Sequence, residues 1–259
     1  MNPSEDYRKL NPEEISKLQL NGCSCEEWDS INVKEGFDPS RCHNVIFSGN
    51  IKLGTFNNTR TDESGVSLRS GISNAHIHNC EIGSDVHISN IGDYIANYRI
   101  EDDVIIKNCG KINTEGTTSF GNGTEVAVLN ETGGRSVRIW DQLSAHQAYI
   151  MALYRHRIKA IRKMEQMINE YSGAISSTTG VIGTGSRILS CRHIRNVRIG
   201  PFSHIEGAIS LNEGSVNSCG EDPVLIGPGV IMEHFIVCSG SIVTESTLID
   251  KCFIGQGCV

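Results

Sequence analysis

Aromatic residues are scarce in this chain, at 6% of 259 residues, which excludes a broad core built on ring packing. No apolar run approaches the ~20 residues needed for a membrane span, and Met1 to Asp6 lack the basic stretch followed by an apolar one that marks a secretory signal. A cytoplasmic protein without a membrane span is therefore expected. Basic residues are outnumbered: the net charge is −7 and the isoelectric point about 5.7, so the surface repels phosphate backbones and nucleic acid is not an expected partner. The ten cysteines include no CxxC pair. No metal site is expected from them, and Cys80, Cys109, Cys191 and Cys238 read as free thiols filling a core as small hydrophobes. Walker and Rossmann glycine patterns are absent too.

What is present is a period of six. Ile82, Ile88, Tyr94, Ile100, Ile106 and Ile112 are evenly spaced, with Val86, Tyr98 and Val104 four positions on from three of them. A strand repeats every two residues and a helix every 3.6. A sustained period of six needs a chain that turns a corner every six residues and buries one side chain per flat side. The period returns at Ile199, Ile205 and Leu211, with Ser203, Ile209 and Ser215 four positions on, and again at Val230, Ile236, Ile242, Leu248 and Ile254. Glycines in Ile226-Gly227-Pro228-Gly229 and Ile254-Gly255-Gln256-Gly257 suit coil corners. The spacing predicts parallel coils of about 18 residues stacked at a strand spacing of ~4.8 Å.

Hexads such as Ile82-Gly83-Ser84-Asp85-Val86-His87 and Ile199-Gly200-Pro201-Phe202-Ser203-His204 make the chain resemble the left-handed parallel β-helix, or hexapeptide-repeat, superfamily. The segments Ile46–Gly54, Val126–Arg135 and Tyr154-Arg155-His156-Arg157 further resemble an uncharacterised bacterial hexapeptide family of unknown function, whose members look longer than this chain. The expected fold is mostly β: a left-handed parallel β-helix with an N-terminal helical cap and an inserted helix. Residues 1–40 form the cap, 41–138 a first tract, 139–174 the insertion and 175–259 a second tract that stops inside a hexapeptide, as if truncated or covered by another subunit.

Local signals mark the non-repeat parts. Asn11-Pro12-Glu13-Glu14 carries a cap, a first-turn proline and a capping-box glutamate, and Gly22 can close the helix. Val66 and Leu68 read with Val45, Phe47, Ile51, Leu53 and Ile72 as parts of the first coils. Residues 144–171 read as one helix, with Tyr154, Ile158, Ile161, Ile168 and Tyr171 on one face and Arg155, Arg157, Lys159, Arg162 and Lys163 elsewhere.

The superfamily resemblance implies an acyltransferase. In that mechanism a histidine, whose pKa lies near neutral, deprotonates a hydroxyl or amine that attacks acetyl-CoA or another acyl donor. The implied acceptor is a sugar or sugar nucleotide, and the implied assembly a homotrimer. By phase, His78, His204 and His234 face outward or sit at corners and are the catalytic candidates, while His76 falls at a core position. Asn130, Glu131, Gly133, Gly134 and Arg135 form a second candidate, for ligand binding: two glycines admit backbone amides and Arg135 can grip an anion. The alternative from another class is a non-catalytic β-helix that oligomerises or regulates, like those joined to sugar-nucleotide pyrophosphorylases.

Overall fold

A computed structural model describes residues 7–61, 65–128 and 134–259. The protein is mostly β, with one large sheet of mostly parallel strands, two small antiparallel hairpins and three α-helices among the described residues.

The main sheet consists of three parallel ladders, and the chain visits each in turn. One ladder stacks Cys42, Ile72, Ile88, Ile106, Ile188, Ile205, Ile226 and Val243 in register. The second stacks Phe47, Ile77, Ile95, Ile112, Ile194, Leu211 and Met232. The third stacks Leu53, Ile82, Ile100, Ile182, Ile199, Val216 and Val237. All of these side chains are buried in one continuous core. β-branched side chains suit this arrangement because each has a stiff χ1 and packs on the pleat of its neighbour. Two of the large rings, Tyr98 and Phe235, are admitted by a glycine stacked against each. A Cβ on Gly180 would lie 2.4 Å from the Tyr98 ring, and one on Gly214 would lie 2.3 Å from Phe235. The buried Tyr98 hydroxyl donates to the Val197 carbonyl at 2.8 Å.

The period of six holds where coils are regular and fails elsewhere. Ile82, Ile88, Ile100, Ile106, Ile199 and Ile205 are buried as expected. Tyr94 is only half-buried, and Ile95 takes the inward place. Leu248 is 76% exposed and Ile209 42% exposed, Ile242 faces outward beside the buried Val243, and Ile236 is covered by the helical insertion rather than by the core. The cause is coil length. The step from Ile88 to Ile106 is 18 residues, but Ile72 to Ile88 is 16, Ile188 to Ile205 is 17 and Ile205 to Ile226 is 21, so a fixed count of six drifts out of phase. Val66 and Leu68 are likewise not coil residues. They belong to or border an antiparallel hairpin, Thr59–Thr61 against Ser67–Arg69, and Val66 is 53% exposed.

One corner between ladders is built from asparagines. Asn44, Asn74, Asn90 and Asn108 all have φ between 51 and 56°, the left-handed region that asparagine tolerates. Their amides link in sequence, Nδ2 to Oδ1, at 3.2, 2.9 and 3.1 Å.

The first helix, α1 (Pro12–Leu20), has the expected capping box: Asn11 accepts from the Glu14 backbone N–H, and Glu14 accepts from that of Asn11. Glu14 also takes two hydrogen bonds from Arg8, at 2.9 and 2.7 Å. The Arg8 bond, with the Asn11 amide adding to it, holds this carboxyl below its ordinary range despite burial. A depressed folded value means that the stabilisation is present above the unfolded carboxylate value of ~4.3 and is lost as pH falls through the folded one. Glu14→Gln is therefore expected to remove about 1 kcal/mol of the stability difference between neutral and acid solution, a modest figure because Arg8 is partly in water. Denaturant titrations at both pH values check this; an unchanged difference would mean the pair contributes nothing.

The chain leaves the main sheet after Asn113 and rejoins it at Gly180, which pairs with Tyr98. The segment between holds a hairpin, Glu125–Ala127 against Ser136–Arg138, and two helices, α2 (Ala145–Leu153) and α3 (Ile158–Ile175). The single expected helix is thus broken at Tyr154–Arg157, and Tyr154 and Ile158 are exposed while Ile161 and Ile168 are buried. Ile168, Met151, Ala152, Val137 and Trp140 make a small second core.

Candidate active site

Phe47 and Ile77 point inward, so their neighbours Ser48, His76 and His78 point outward from adjacent strands, with Ser48 in register with His78. His76, expected in the core, is half-buried on the surface; Ala75 and Ile77 take the inward places. The Ser48 hydroxyl lies 2.8 Å from His78 Nδ1 and 3.2 Å from His76 Nε2.

The protons in this cluster follow from its neighbours. Asn79 Oδ1 accepts the Asn50 backbone N–H at 2.9 Å, so the amide nitrogen of Asn79 is the group that faces His78 Nε2, also at 2.9 Å. His78 Nε2 must then accept, and its proton sits on Nδ1, where it is donated to Ser48. The single hydroxyl proton of Ser48 is left to point at His76 Nε2. A hydroxyl donating to an imidazole nitrogen is the arrangement of a nucleophile and its base. The His76 ring packs edge-on against Tyr94 with centroids 6.3 Å apart, and the Lys111 ammonium lies 4.8 Å from the Tyr94 centroid. One coil further along the ladder, His193 is held below its ordinary pKa by burial and by Lys111 and Arg195, and so stays neutral at pH 7.

Beside the cluster lies a groove of about 620 Å³ whose lining includes Asn50, Lys52, Asn79, Asn97, Arg99 and Thr179. Asn79 joins the two, since it touches His78 and also lines the groove. Lys52 pairs with Glu81 at 3.4 Å and Arg99 with Glu101 at 3.3 Å. Amides, hydroxyls and paired charges of this kind bind polyhydroxylated ligands by hydrogen bonding.

The other candidates are placed apart. His204 stands on the first ladder between Arg187 and Leu225, its Nε2 3.5 Å from the Glu206 carboxylate. His234 occupies a corner at φ 52°, with Nδ1 3.6 Å from Asp250 and 4.0 Å from Glu233. Each of these three offers one ligand atom within 4.8 Å of the others, although both carboxylates are exposed. His78 on the second ladder, His204 on the first and His234 at a corner thus stand apart and do not converge. Asn130, Glu131 and Gly133 lie outside the described residues; Gly134 (φ 87°) and Arg135 are exposed. Ser48 and His76 were missed in the sequence, where a 30-residue register between Phe47 and Ile77, interrupted by a hairpin, hides their adjacency.

A second polar assembly fixes the insertion to the third ladder. The Asp141 carboxylate accepts from Tyr171 at 2.8 Å, Asn217 at 2.9 Å and Asn122 at 3.3 Å, and pairs with Arg198. A cavity of about 580 Å³ adjoins it, walled by Leu143, Ser144, Cys238 and Phe253. Burial, with the Asp141 charge adding to it, pushes the Cys238 thiol up to about 11, so it is a poor nucleophile.

The chain is thus a mostly β protein of stacked parallel strands that carries a serine between two histidines beside a polar groove. A model of a domain of unknown function, DUF4954, matches residues 7–259, and the chain belongs to that family. It is also similar to an uncharacterised protein of Treponema pallidum (strain Nichols), 29% identical over 246 residues, covering 91% of this chain and 34% of that protein. The chain therefore spans about a third of the length of that relative. No helix among the described residues is long and apolar enough to cross a membrane.

Proposed function

We propose that the protein is an acyltransferase of the left-handed parallel β-helix class, transferring an acyl group from acetyl-CoA or another acyl-CoA to a hydroxyl of a sugar or sugar nucleotide. The observation that carries this reading is the Ser48 hydroxyl held between His76 and His78. In the first half-reaction Ser48 Oγ attacks the thioester carbonyl while His76 Nε2 takes the hydroxyl proton. The carbon–sulfur bond breaks, and the CoA thiolate takes that proton as it leaves. In the second, His76 Nε2 takes the proton of the acceptor hydroxyl, whose oxygen attacks the ester carbonyl; the bond from that carbon to Ser48 Oγ breaks, and His76 returns the proton to Oγ, restoring the serine. His78 Nδ1–H steadies the negative charge on Oγ, and the groove lined by Asn79, Asn97 and Arg99 seats the acceptor. The proposed assembly is a cytoplasmic homotrimer.

The experiment is incubation with acetyl-CoA and a panel of sugar nucleotides, following free thiol and intact mass. Wild type is expected to acquire an acetyl group at Ser48 when no acceptor is present. Ser48→Ala and His76→Gln should each lower turnover by on the order of 10³. Turnover undiminished in Ser48→Ala would sink the reading. The second reading is a non-catalytic oligomerising or regulatory β-helix, favoured by apolar side chains left outside the coils: Leu248 at 76% exposure, with Ile209, Leu225 and Ile231 also exposed. A stable oligomer with neither turnover nor acylation would favour it.

A further inference from the structure

The helical insertion carries a surface unlike the rest of the protein. Between Asp141 and Glu165 there is no acidic residue, whereas Arg155, Arg157, Lys159, Arg162 and Lys163 fall within nine positions, in a chain whose net charge is −7. Arg155 is engaged with Ser136 and, at 3.6 Å, with Glu165. The other four cations are exposed at and just beyond the elbow between α2 and α3.

The same elbow exposes large apolar groups. Leu153 is 40%, Tyr154 43%, Tyr149 55% and Ile158 57% exposed. Tyr154 places its ring near Tyr149 and His156, with centroids 6.0 and 5.8 Å away. A mainly apolar groove of about 680 Å³ lies between the helices, lined by Ile150, Ala160, Met164 and Met167, with Lys163, Gln147, Gln166 and the Glu170 carboxylate at its sides. Behind this face Ile161 and Ile168 are buried.

We propose that the elbow is a docking surface for an anionic phospholipid bilayer. Aliphatic and tyrosyl side chains among lysines and arginines match the boundary of such a bilayer. The rings and branched chains enter the headgroup region, the cations meet lipid phosphates, and the groove gives apolar room for the first carbons of a lipid tail. The net charge of −7 is repelled by the same lipids, which favours approach by this face.

The test uses the purified protein and sedimented vesicles, either pure phosphatidylcholine or phosphatidylcholine with 30% phosphatidylglycerol in about 0.1 M salt. Wild type should bind the anionic vesicles and release them as salt rises. Reversing the four cations (Arg157→Glu, Lys159→Glu, Arg162→Glu, Lys163→Glu) should weaken binding by roughly tenfold or more. Replacing Leu153, Tyr154 and Ile158 by serine should weaken it comparably, with the circular dichroism spectrum unchanged in both variants. Equal binding to both vesicle types, or binding indifferent to either variant, overturns the proposal. So does wild type that ignores vesicles but forms an oligomer that these substitutions dissolve, since the face would then be covered by a second copy.

Discussion

Ile100→Asp is expected to yield no soluble folded protein. Ile100 is 1% exposed and is stacked between Ile82 and Ile182 on the third ladder. A carboxyl placed there is surrounded by buried aliphatic side chains. Left ionised or forced to protonate, it costs several kcal/mol, a large part of the ~5–15 kcal/mol that holds an ordinary domain folded. Because each coil is a template for the next, the damage spreads to both neighbours. Two controls separate burial from accident. Ile100→Val deletes one methylene and should cost about 1 kcal/mol. Arg99→Gln, one residue away and facing outward, removes only a solvent-exposed ion pair and should change stability by roughly 0.5 kcal/mol or less. Soluble expression of Ile100→Asp with a wild-type melting transition would show that the side chain does not face the core.

Asp141→Ala should release the helical insertion while the coils stay folded. The Asp141 side chain is 8% exposed and gathers Tyr171 from α3, Asn217 and Arg198 from the third ladder, and Asn122 from the loop before the hairpin. Removing the carboxylate leaves the Arg198 guanidinium without its partner. Breaking a buried pair from one side costs about 3–5 kcal/mol. Arg198 keeps 30% of its side-chain exposure, which places the expected loss near the lower end, at roughly 3 kcal/mol. Amide exchange across residues 145–175 should accelerate about a hundredfold, a factor of ten for each ~1.4 kcal/mol, while amides of the Ile88, Ile106 and Ile188 strands keep their protection. Adding Arg198→Met should restore part of the loss, since it removes the stranded charge. Exchange unchanged in Asp141→Ala would mean that the small core around Trp140 and Ile168 holds the insertion without this network.

Much of the core was legible because its physics is periodic. Ile82, Ile88, Ile100 and Ile106 recur at one spacing, and each is buried in the ladder that this spacing implies. The capping box at Asn11 was legible because it is local. Ile236, Ile242 and Leu248 were misread because corners accept different numbers of residues, and a single added corner residue inverts every side chain after it. The helix break at Tyr154–Arg157 carries neither glycine nor proline, so no residue announces it. The site was hidden for another reason. Ser48 meets His76 and His78 through pairing across 30 residues, and Asp141 meets Arg198 across 57. Such meetings depend on which coil lies on which, and one sequence without its register does not state that.

The departure of the chain at Asn113 and its return at Gly180 give the molecule a seam. In the coil before, a single residue, Asn97, connects Ala96 on the second ladder to Tyr98 on the third; in the coil after, Asn196 alone connects Arg195 to Val197. Residues 114–179 stand where one corner residue would otherwise stand. The register of the strands at both exits is set by pairing with the coils on either side, not by what hangs there. Lengthening such a loop is cheap, since doubling it costs only about 0.6 kcal/mol of closure entropy. A corner of this kind is a socket: its contents can be exchanged or enlarged while the isoleucines of the three ladders keep their register, and only Ile236, which the present contents cover, needs a new cover.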